Sequence, residues 1–119
     1  MDAEQALADL MEVSSQVEAA VVLDAGGGVL ASTLGVGEPT ESFAAAVRGL
    51  LPSVAEARAG SSAGEPTQLE VALDSGSVFV AGDGERMVAA VTEPDPTTGL
   101  VFYDLRTALR ALADDDAAA

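Results

Sequence analysis

VVLDAGGGVLAST, at residues 21–33, is the most informative stretch of this chain about its fold. Two apolar segments flank an aspartate, an alanine and three consecutive glycines. Glycines after a strand bind phosphate when they open a helix whose N–H groups face the anion. Here they precede a second strand-like segment, and the chain contains no lysine that could assist them. We therefore interpret the stretch as a β-hairpin in which glycine supplies the positive φ angles of a tight turn.

Three helical patterns and three more strand patterns surround this hairpin. The predicted helices cover residues 3–17, 40–58 and 98–113, and the predicted strands cover residues 19–24, 29–33, 68–74, 77–81 and 86–92. Asp2 and Thr40 are the predicted N-caps of the first two helices. Residues 75–76 and 82–85 are the predicted turns of a β-meander.

The order α-β-β-α-β-β-β-α predicts an α+β fold. We expect one five-stranded, mainly antiparallel sheet with helices on both faces. Segment 86–92 is apolar on both of its sides, which places it in the centre of the sheet. Residues 1–113 are expected to form a single domain, followed by a polar, flexible tail at 114–119.

The second predicted helix combines an apolar stripe with a proline. The stripe consists of Phe43, Val47, Leu50, Leu51 and Val54. Pro52 removes a backbone donor and clashes with the carbonyl of Arg48. Both residues lie opposite the stripe on a helical wheel, so we expect a kink there and no break in the helix.

Composition excludes several classes of function. The chain has 119 residues and no cysteine or histidine, which excludes thiol chemistry, disulfides, imidazole bases and nearly every zinc or copper site. A net charge of −15 repels nucleic acids and anionic lipids, so neither is an expected partner. No secretory signal is visible, and no apolar run approaches the roughly 20 residues of a membrane span. A soluble cytoplasmic protein is expected.

The carboxylates and the arginines are the candidate catalytic groups. Four carboxylates lie near predicted turns, namely Asp24, Asp74, Asp83 and Glu85. An acid–base pair or a Ca²⁺ site could be drawn from them, but the spacing of an EF-hand is missing and aspartate beside glycine is ordinary turn chemistry. An arginine finger for a GTPase could come from Arg48, Arg58 or Arg86, although a solvated arginine is the simpler interpretation of each. We therefore expect no enzyme activity, no cofactor and no metal.

One surface of the second helix favours contact with another protein. Ala45, Gly49 and Pro52 form a strip of small residues opposite the core, flanked by Glu41, Arg48 and Glu56. Glycine inside a helix is less favourable than alanine by about 1 kcal/mol, so the presence of Gly49 requires an explanation. Either another helix approaches closely here, as in a homodimer, or the strip reflects the alanine- and glycine-rich composition.

In two segments the chain resembles the Roadblock/LC7 family, in its prokaryotic, MglB-like branch. The first is ALADLMEVSSQVEAAVVLDAGGGVLAST at residues 6–33, with the family's helix, strand ending in an acidic residue, glycine turn and second strand. The other is VALDSGSVFVAGDGERMVAAVTEPDPTTGLVFYDLRTALRAL at residues 71–112, which has its β-meander and last helix. The family often has a single glycine in the first turn, where this chain has three.

The resemblance implies a homodimer that binds a small Ras-like GTPase. The edges of the third strands would pair across the dimer, with the second helices side by side. The interface would contain Gln68, Leu69, Glu70, Val71, Ala72, Ala45, Gly49 and Pro52, and the surface that binds the GTPase would contain Glu41, Arg48 and Glu56. Prokaryotic members bind an MglA-like GTPase, and some promote hydrolysis without donating an arginine finger.

Two other functions remain open from the sequence. A small-ligand sensor of similar build would need a concave apolar pocket with a few polar groups, which the low aromatic content of 3% disfavours. A purely structural dimer or assembly subunit would need only the self-association surface.

Overall fold

Three helices and five strands follow one another in the predicted order in the computed structural model, which describes residues 2–35, 37–57 and 67–118. The helices are α1 (Ala3–Val13), α2 (Glu38–Ala57) and α3 (Thr98–Ala118). The strands are β1 (Val17–Asp24), β2 (Val29–Ser32), β3 (Gln68–Leu73), β4 (Gly76–Gly82) and β5 (Arg86–Thr92).

The strands form a single antiparallel sheet in the order β2-β1-β5-β4-β3. β5 is the middle strand, as predicted from its apolar residues on both sides. β2 and β3 are the two edges. The hairpin at residues 21–33 is the pair β1–β2, and the meander is β3–β4–β5. The α+β fold class is therefore confirmed.

Each face of the sheet has its own apolar core. α1 and α3 cover one face, where Leu7, Leu10 and Leu105 are buried against the sheet. On the same face the ring of Phe79 in β4 contacts Phe102 of α3 edge to face, with centroids 5.0 Å apart. Among the described elements, α2 is the one helix on the opposite face, which it covers through Ala44 and Val47. This division leaves α2 without a helical neighbour among the described residues.

The first helix ends four residues earlier than predicted. Asp2 is its N-cap, as expected, since its carboxylate accepts a hydrogen bond from the backbone N–H of Gln5. The prediction of helix to residue 17 is wrong, because Ser14 has an extended backbone and Val17 already pairs with Thr92 of β5. The strand also begins two residues before the predicted position 19. Pairing with β5 outweighs helix propensity in this segment.

The second helix begins before its predicted cap. α2 starts at Glu38, so the prediction of Thr40 as the N-cap is wrong. Thr40 is buried in the first turn, where its hydroxyl donates to the carbonyl of Gly35 at 2.5 Å and contacts the Ser32 hydroxyl at 2.8 Å. Pro39 is tolerated there, since the first N–H groups of a helix have no acceptor within it. The backbone of α2 continues through Pro52, whose side chain lies outside the described residues, as do those of Leu51 and Val54.

Three other boundaries differ from the predictions. α3 continues to Ala118, past the predicted end at residue 113. The turn between β3 and β4 consists of residues 74–75, because Gly76 already pairs with Leu73. Gly82 likewise belongs to β4, where it pairs with Met87.

Candidate protein-binding surface

The glycine turn between β1 and β2 is closed by its own aspartate. Asp24 Oδ1 accepts hydrogen bonds from the backbone N–H groups of Gly26 at 2.9 Å and Gly28 at 2.8 Å. Of the three glycines only Gly27 has a positive φ, of 85°, so a single glycine supplies the left-handed conformation of this turn. The N–H groups that could face a phosphate already face a carboxylate. The geometry therefore fits a hairpin turn and disfavours a phosphate-binding loop.

Arg48 of α2 lies against this turn. Its Nε donates a hydrogen bond to the carbonyl oxygen of Gly27 at 2.6 Å. Its guanidinium is also 3.8 Å from the carboxylate of Glu41, one of the other predicted GTPase contacts. The Arg48 side chain remains 39% exposed and that of Glu41 67% exposed, so both are accessible to a partner. The side chain of Glu56, the third predicted contact, is outside the described residues.

The predicted strip of small residues lies on the outer side of α2. Ala45 and Gly49 are exposed, and a Cβ added to Gly49 would meet no atom within 4 Å. The side chain of Pro52 is not among those described. The outer side of α2 therefore carries no bulky side chain at Ala45 and Gly49. A helix of another molecule could approach it closely there.

The edge strand β3 turns one row of apolar side chains to the face of the sheet that α2 covers. In the described part of the chain its one partner strand is β4, and Leu69 packs on the core beneath α2. Leu69 and Val71 are half-buried, and Leu73 is 58% exposed. The remaining predicted interface residues of this strand, Gln68, Glu70 and Ala72, are exposed.

The width of the sheet explains this exposure. Neighbouring strands lie about 4.8 Å apart, so five strands span about 19 Å between the outer two. One helix is about 10 Å wide. α2 alone therefore cannot cover the whole face, and apolar residues near the β3 edge remain accessible.

The other candidate residues from the sequence have structural roles or lie apart. Asp83 Oδ1 accepts hydrogen bonds from the N–H groups of Glu85 and Arg86, which is the turn chemistry that the sequence indicated. Arg86 is half-buried in β5 opposite Asp24 of β1. Arg58 lies outside the described residues. Within the described ranges, no group of three or more acidic side chains is placed to hold a metal ion. No helix in the same ranges is long and apolar enough to cross a membrane.

A groove between α1 and α3 was not predicted from the sequence. It has a volume of about 260 Å³ and is lined by Ala6, Asp9, Leu10, Glu12, Val13, Asp104, Thr107, Ala108 and Ala111. The three alanines on the facing sides of the helices were its only signal, and they are inconspicuous in an alanine-rich chain.

Comparison with known proteins agrees with this architecture. The model of the Roadblock/LC7 domain family matches residues 3–93, which span α1 to β5. No match was found among curated protein sequences. Three similar solved structures show the same fold at low sequence identity.

The first is the Roadblock/LC7 domain from Streptomyces avermitilis, with 20% identity over 96% of this chain and 97% of that one and a TM-score of 0.82. The gliding protein MglB from Thermus thermophilus has 17% identity over 92% of this chain and 84% of that one, with a TM-score of 0.75. MglB of Myxococcus xanthus has 14% identity over 98% of this chain and 93% of that one, with a TM-score of 0.73. The fold, its order of elements and the match over most of the sequence agree: the chain belongs to the Roadblock/LC7 family.

Proposed function

We propose that this protein is a homodimeric regulator or scaffold of a small Ras-like, MglA-like GTPase and binds the switch region of that GTPase. The observation that carries the proposal is the outer side of α2, where Ala45 and Gly49 are exposed beside the charged pair Glu41 and Arg48. Membership of the Roadblock/LC7 family and structural similarity to MglB support it. The role requires no catalytic group in this chain, and we expect it to act in the cytoplasm.

Regulation in this scheme depends on selective binding. A protein that binds two conformations of a GTPase equally well changes neither population. Contacts from α2 must therefore favour one nucleotide state of the switch region. The small residues Ala45 and Gly49 would allow the GTPase to approach α2 closely, and the flanking Glu41 and Arg48 would supply polar contacts.

The dimer is proposed to form through β3 and α2. Two β3 edges would pair, so that the sheet continues from one chain into the other and the unpaired N–H and C=O groups of each edge find partners. The second α2 would then cover the half-buried Leu69 and Val71. The proposed interface residues are Gln68, Leu69, Glu70, Val71, Ala72, Ala45, Gly49 and Pro52.

A binding assay tests the GTPase partnership. The purified protein is titrated into an MglA-like GTPase loaded with GDP or with a non-hydrolysable GTP analogue. We expect tighter binding to one nucleotide state, weakened several-fold by Glu41→Lys and unchanged by Glu18→Lys, which reverses an exposed charge on β1. Absence of binding in both states would refute the proposal.

Light scattering tests the dimer separately. Val71→Lys places two like charges near each other if β3 pairs across a two-fold axis, so we expect the dimer to dissociate. Val29→Lys makes the same change at a half-buried site on the other edge strand and should leave the dimer intact. A wild-type chain that is monomeric at micromolar concentration would contradict the interface.

Larger assemblies are the alternative outcome of the same measurement. One similar structure is described as MglB with a tetrameric arrangement, at 19% identity over 92% of this chain and 86% of that one and a TM-score of 0.68. A mass above that of two chains, together with failure to bind the GTPase, would favour a structural assembly subunit.

A further inference from the structure

The groove between α1 and α3 is the concave feature that the proposed function does not use. It lies on the face of the sheet opposite to α2. Ala6 and Leu10 of α1 and Ala108 of α3 are buried along it, and Val13 is 69% exposed at the end of α1. Because alanines stand where the two helices face each other, a shallow depression with an apolar floor remains between them.

Carboxylates surround this floor. Asp9 and Glu12 project from α1 and Asp104 from α3, and all three line the groove. Asp9 accepts a hydrogen bond from the side-chain amide of Gln5 at 2.9 Å. No ion pair joins any of the three to another residue in the described part of the chain. One cation lies beside the groove, since Arg110 Nη2 donates a hydrogen bond at 3.4 Å to the hydroxyl of Thr107, which lines it.

The size of the groove indicates the kind of molecule that fits. Sites for whole small molecules enclose about 300–1,000 Å³. At about 260 Å³, and open to solvent between two helices, this groove suits a row of side chains better than an enclosed metabolite. An amphipathic helix presents such a row at positions i, i+4 and i+7.

The charge of the groove selects among possible helices. Another copy of this chain is disfavoured, because its net charge is −15 and its five basic residues are scattered. Only α3 carries two arginines one turn apart, Arg106 and Arg110, and that helix itself lines the groove. A helix from a different, basic protein would instead neutralise the three carboxylates.

We propose that the α1–α3 groove binds a basic amphipathic helix of a partner protein. Its apolar side chains pack on Val13 and Ala111 above the floor of Ala6, Leu10 and Ala108, and its lysines and arginines pair with Asp9, Glu12 and Asp104. The site would let the protein bind a second partner while α2 contacts the GTPase, since the two surfaces lie on opposite faces of the sheet. Its existence does not depend on the proposed GTPase partnership.

The experiment uses fluorescence anisotropy with the full chain and a labelled synthetic helix. The probe has a leucine stripe flanked by arginine and lysine. One control peptide has glutamate at every basic position, and a second has the probe's composition in scrambled order. We expect the probe alone to bind, with an affinity that falls as salt is added, because exposed ion pairs are screened over about 10 Å at 0.1 M salt.

Two protein variants locate the site. The triple variant Asp9→Asn, Glu12→Gln, Asp104→Asn should weaken binding about tenfold, since each exposed pair contributes modestly. Glu18→Gln, Glu85→Gln, Glu93→Gln removes the same number of carboxylate charges from exposed sites elsewhere and should change binding by less than about twofold. Ala111→Leu should fill the groove and abolish binding, whereas Ala45→Leu on α2 should not. Thermal unfolding of each variant verifies that it is folded.

Several results would overturn the proposal. It is wrong if the probe does not bind, if the acidic or scrambled peptide binds equally well, or if Ala45→Leu weakens binding and Ala111→Leu does not. A change in the protein's own oligomeric state on Ala111→Leu would show that a second copy occupies the groove. A metabolite that competes with the probe and binds more tightly would assign the groove to a small ligand.

Discussion

The Nε of Arg48 in α2 donates a hydrogen bond to the carbonyl oxygen of Gly27 in the β1–β2 turn, over a distance of 2.6 Å. The two residues are 21 positions apart, so this contact ties the outer flank of α2 to the end of the hairpin. A charged donor makes a stronger hydrogen bond than a neutral one. The Arg48 side chain also lies so close to Gly27 that a Cβ there would be 2.7 Å from Arg48 Cδ. The hairpin turn is therefore held against the proposed partner-binding helix by a hydrogen bond and by packing of the Arg48 side chain.

The first prediction concerns Gly27. Gly27→Ala should lower the free energy of unfolding by about 2 kcal/mol, because alanine is strained at φ 85° and its methyl group displaces Arg48. Gly26→Ala is the matched control, since Gly26 has no positive φ and its added Cβ would make only an ordinary contact with Asp24. It should change stability by less than about 0.5 kcal/mol. Urea unfolding at a fixed protein concentration measures both. Equal losses would refute this account of the turn.

A double-mutant cycle tests the contact between Arg48 and Gly27. Arg48→Ala alone should destabilise by about 1 kcal/mol, because the lost hydrogen bond is partly exposed. In the Arg48→Ala background, Gly27→Ala should destabilise by only about 1 kcal/mol, since the steric part has gone and the φ strain remains. Chemical unfolding of the four proteins gives the coupling free energy. Strict additivity would show that the two residues do not interact in solution.

Asp24 is predicted to stabilise the hairpin through its side chain. Asp24→Ala leaves the N–H groups of Gly26 and Gly28 without their acceptor and should destabilise by about 1–2 kcal/mol. Asp24→Asn keeps an acceptor oxygen and should lose less. Asp74→Ala removes an exposed aspartate from the β3–β4 turn and should stay within about 0.5 kcal/mol. Thermal and urea unfolding distinguish the three variants, and equal losses at positions 24 and 74 would contradict the assigned role.

Gly76 is predicted to be the least replaceable glycine in the meander. It has a φ of 152°, and a Cβ there would overlap the backbone oxygen of Thr92 in β5. Gly76→Ala should therefore destabilise by about 3 kcal/mol or more, because backbone atoms of two paired strands must separate. Gly84→Ala is the control, since Gly84 also has a positive φ, of 93°, but an added Cβ would meet no atom within 4 Å. It should lose about 1 kcal/mol. Circular dichroism during urea unfolding checks the difference, and similar losses would show that φ strain alone matters.

Much of the fold was predictable because burial leaves a periodic trace in the sequence. The apolar residues on both sides of residues 86–92 correctly placed β5 in the middle of the sheet. The apolar stripe of the second helix was also correctly identified at Phe43, Val47 and Leu50, which pack in the core beneath α2. The boundaries were less predictable: residues 14–17 suit either a helix or a strand locally, and pairing of Val17 with Thr92 decides between them.

The candidate surfaces were predictable only in part. Exposure of Ala45 and Gly49 follows from the helical period and is confirmed. That Arg48 contacts Gly27 could not be predicted, because a long flexible side chain reaches partners that are distant in sequence. The predicted contacts with a dimer partner and a GTPase remain proposals to be tested.

Local backbone preferences and the hydrophobic period were enough to establish the order of elements, the hairpin at residues 21–33 and many of the residues that each element buries. Two features, in contrast, emerge only when the chain is folded: Arg48 of α2 contacts the glycine turn 21 residues away, and alanines of α1 and α3 face each other to leave a groove. These features depend on distances between segments far apart in the chain, and those distances are set by packing against the sheet.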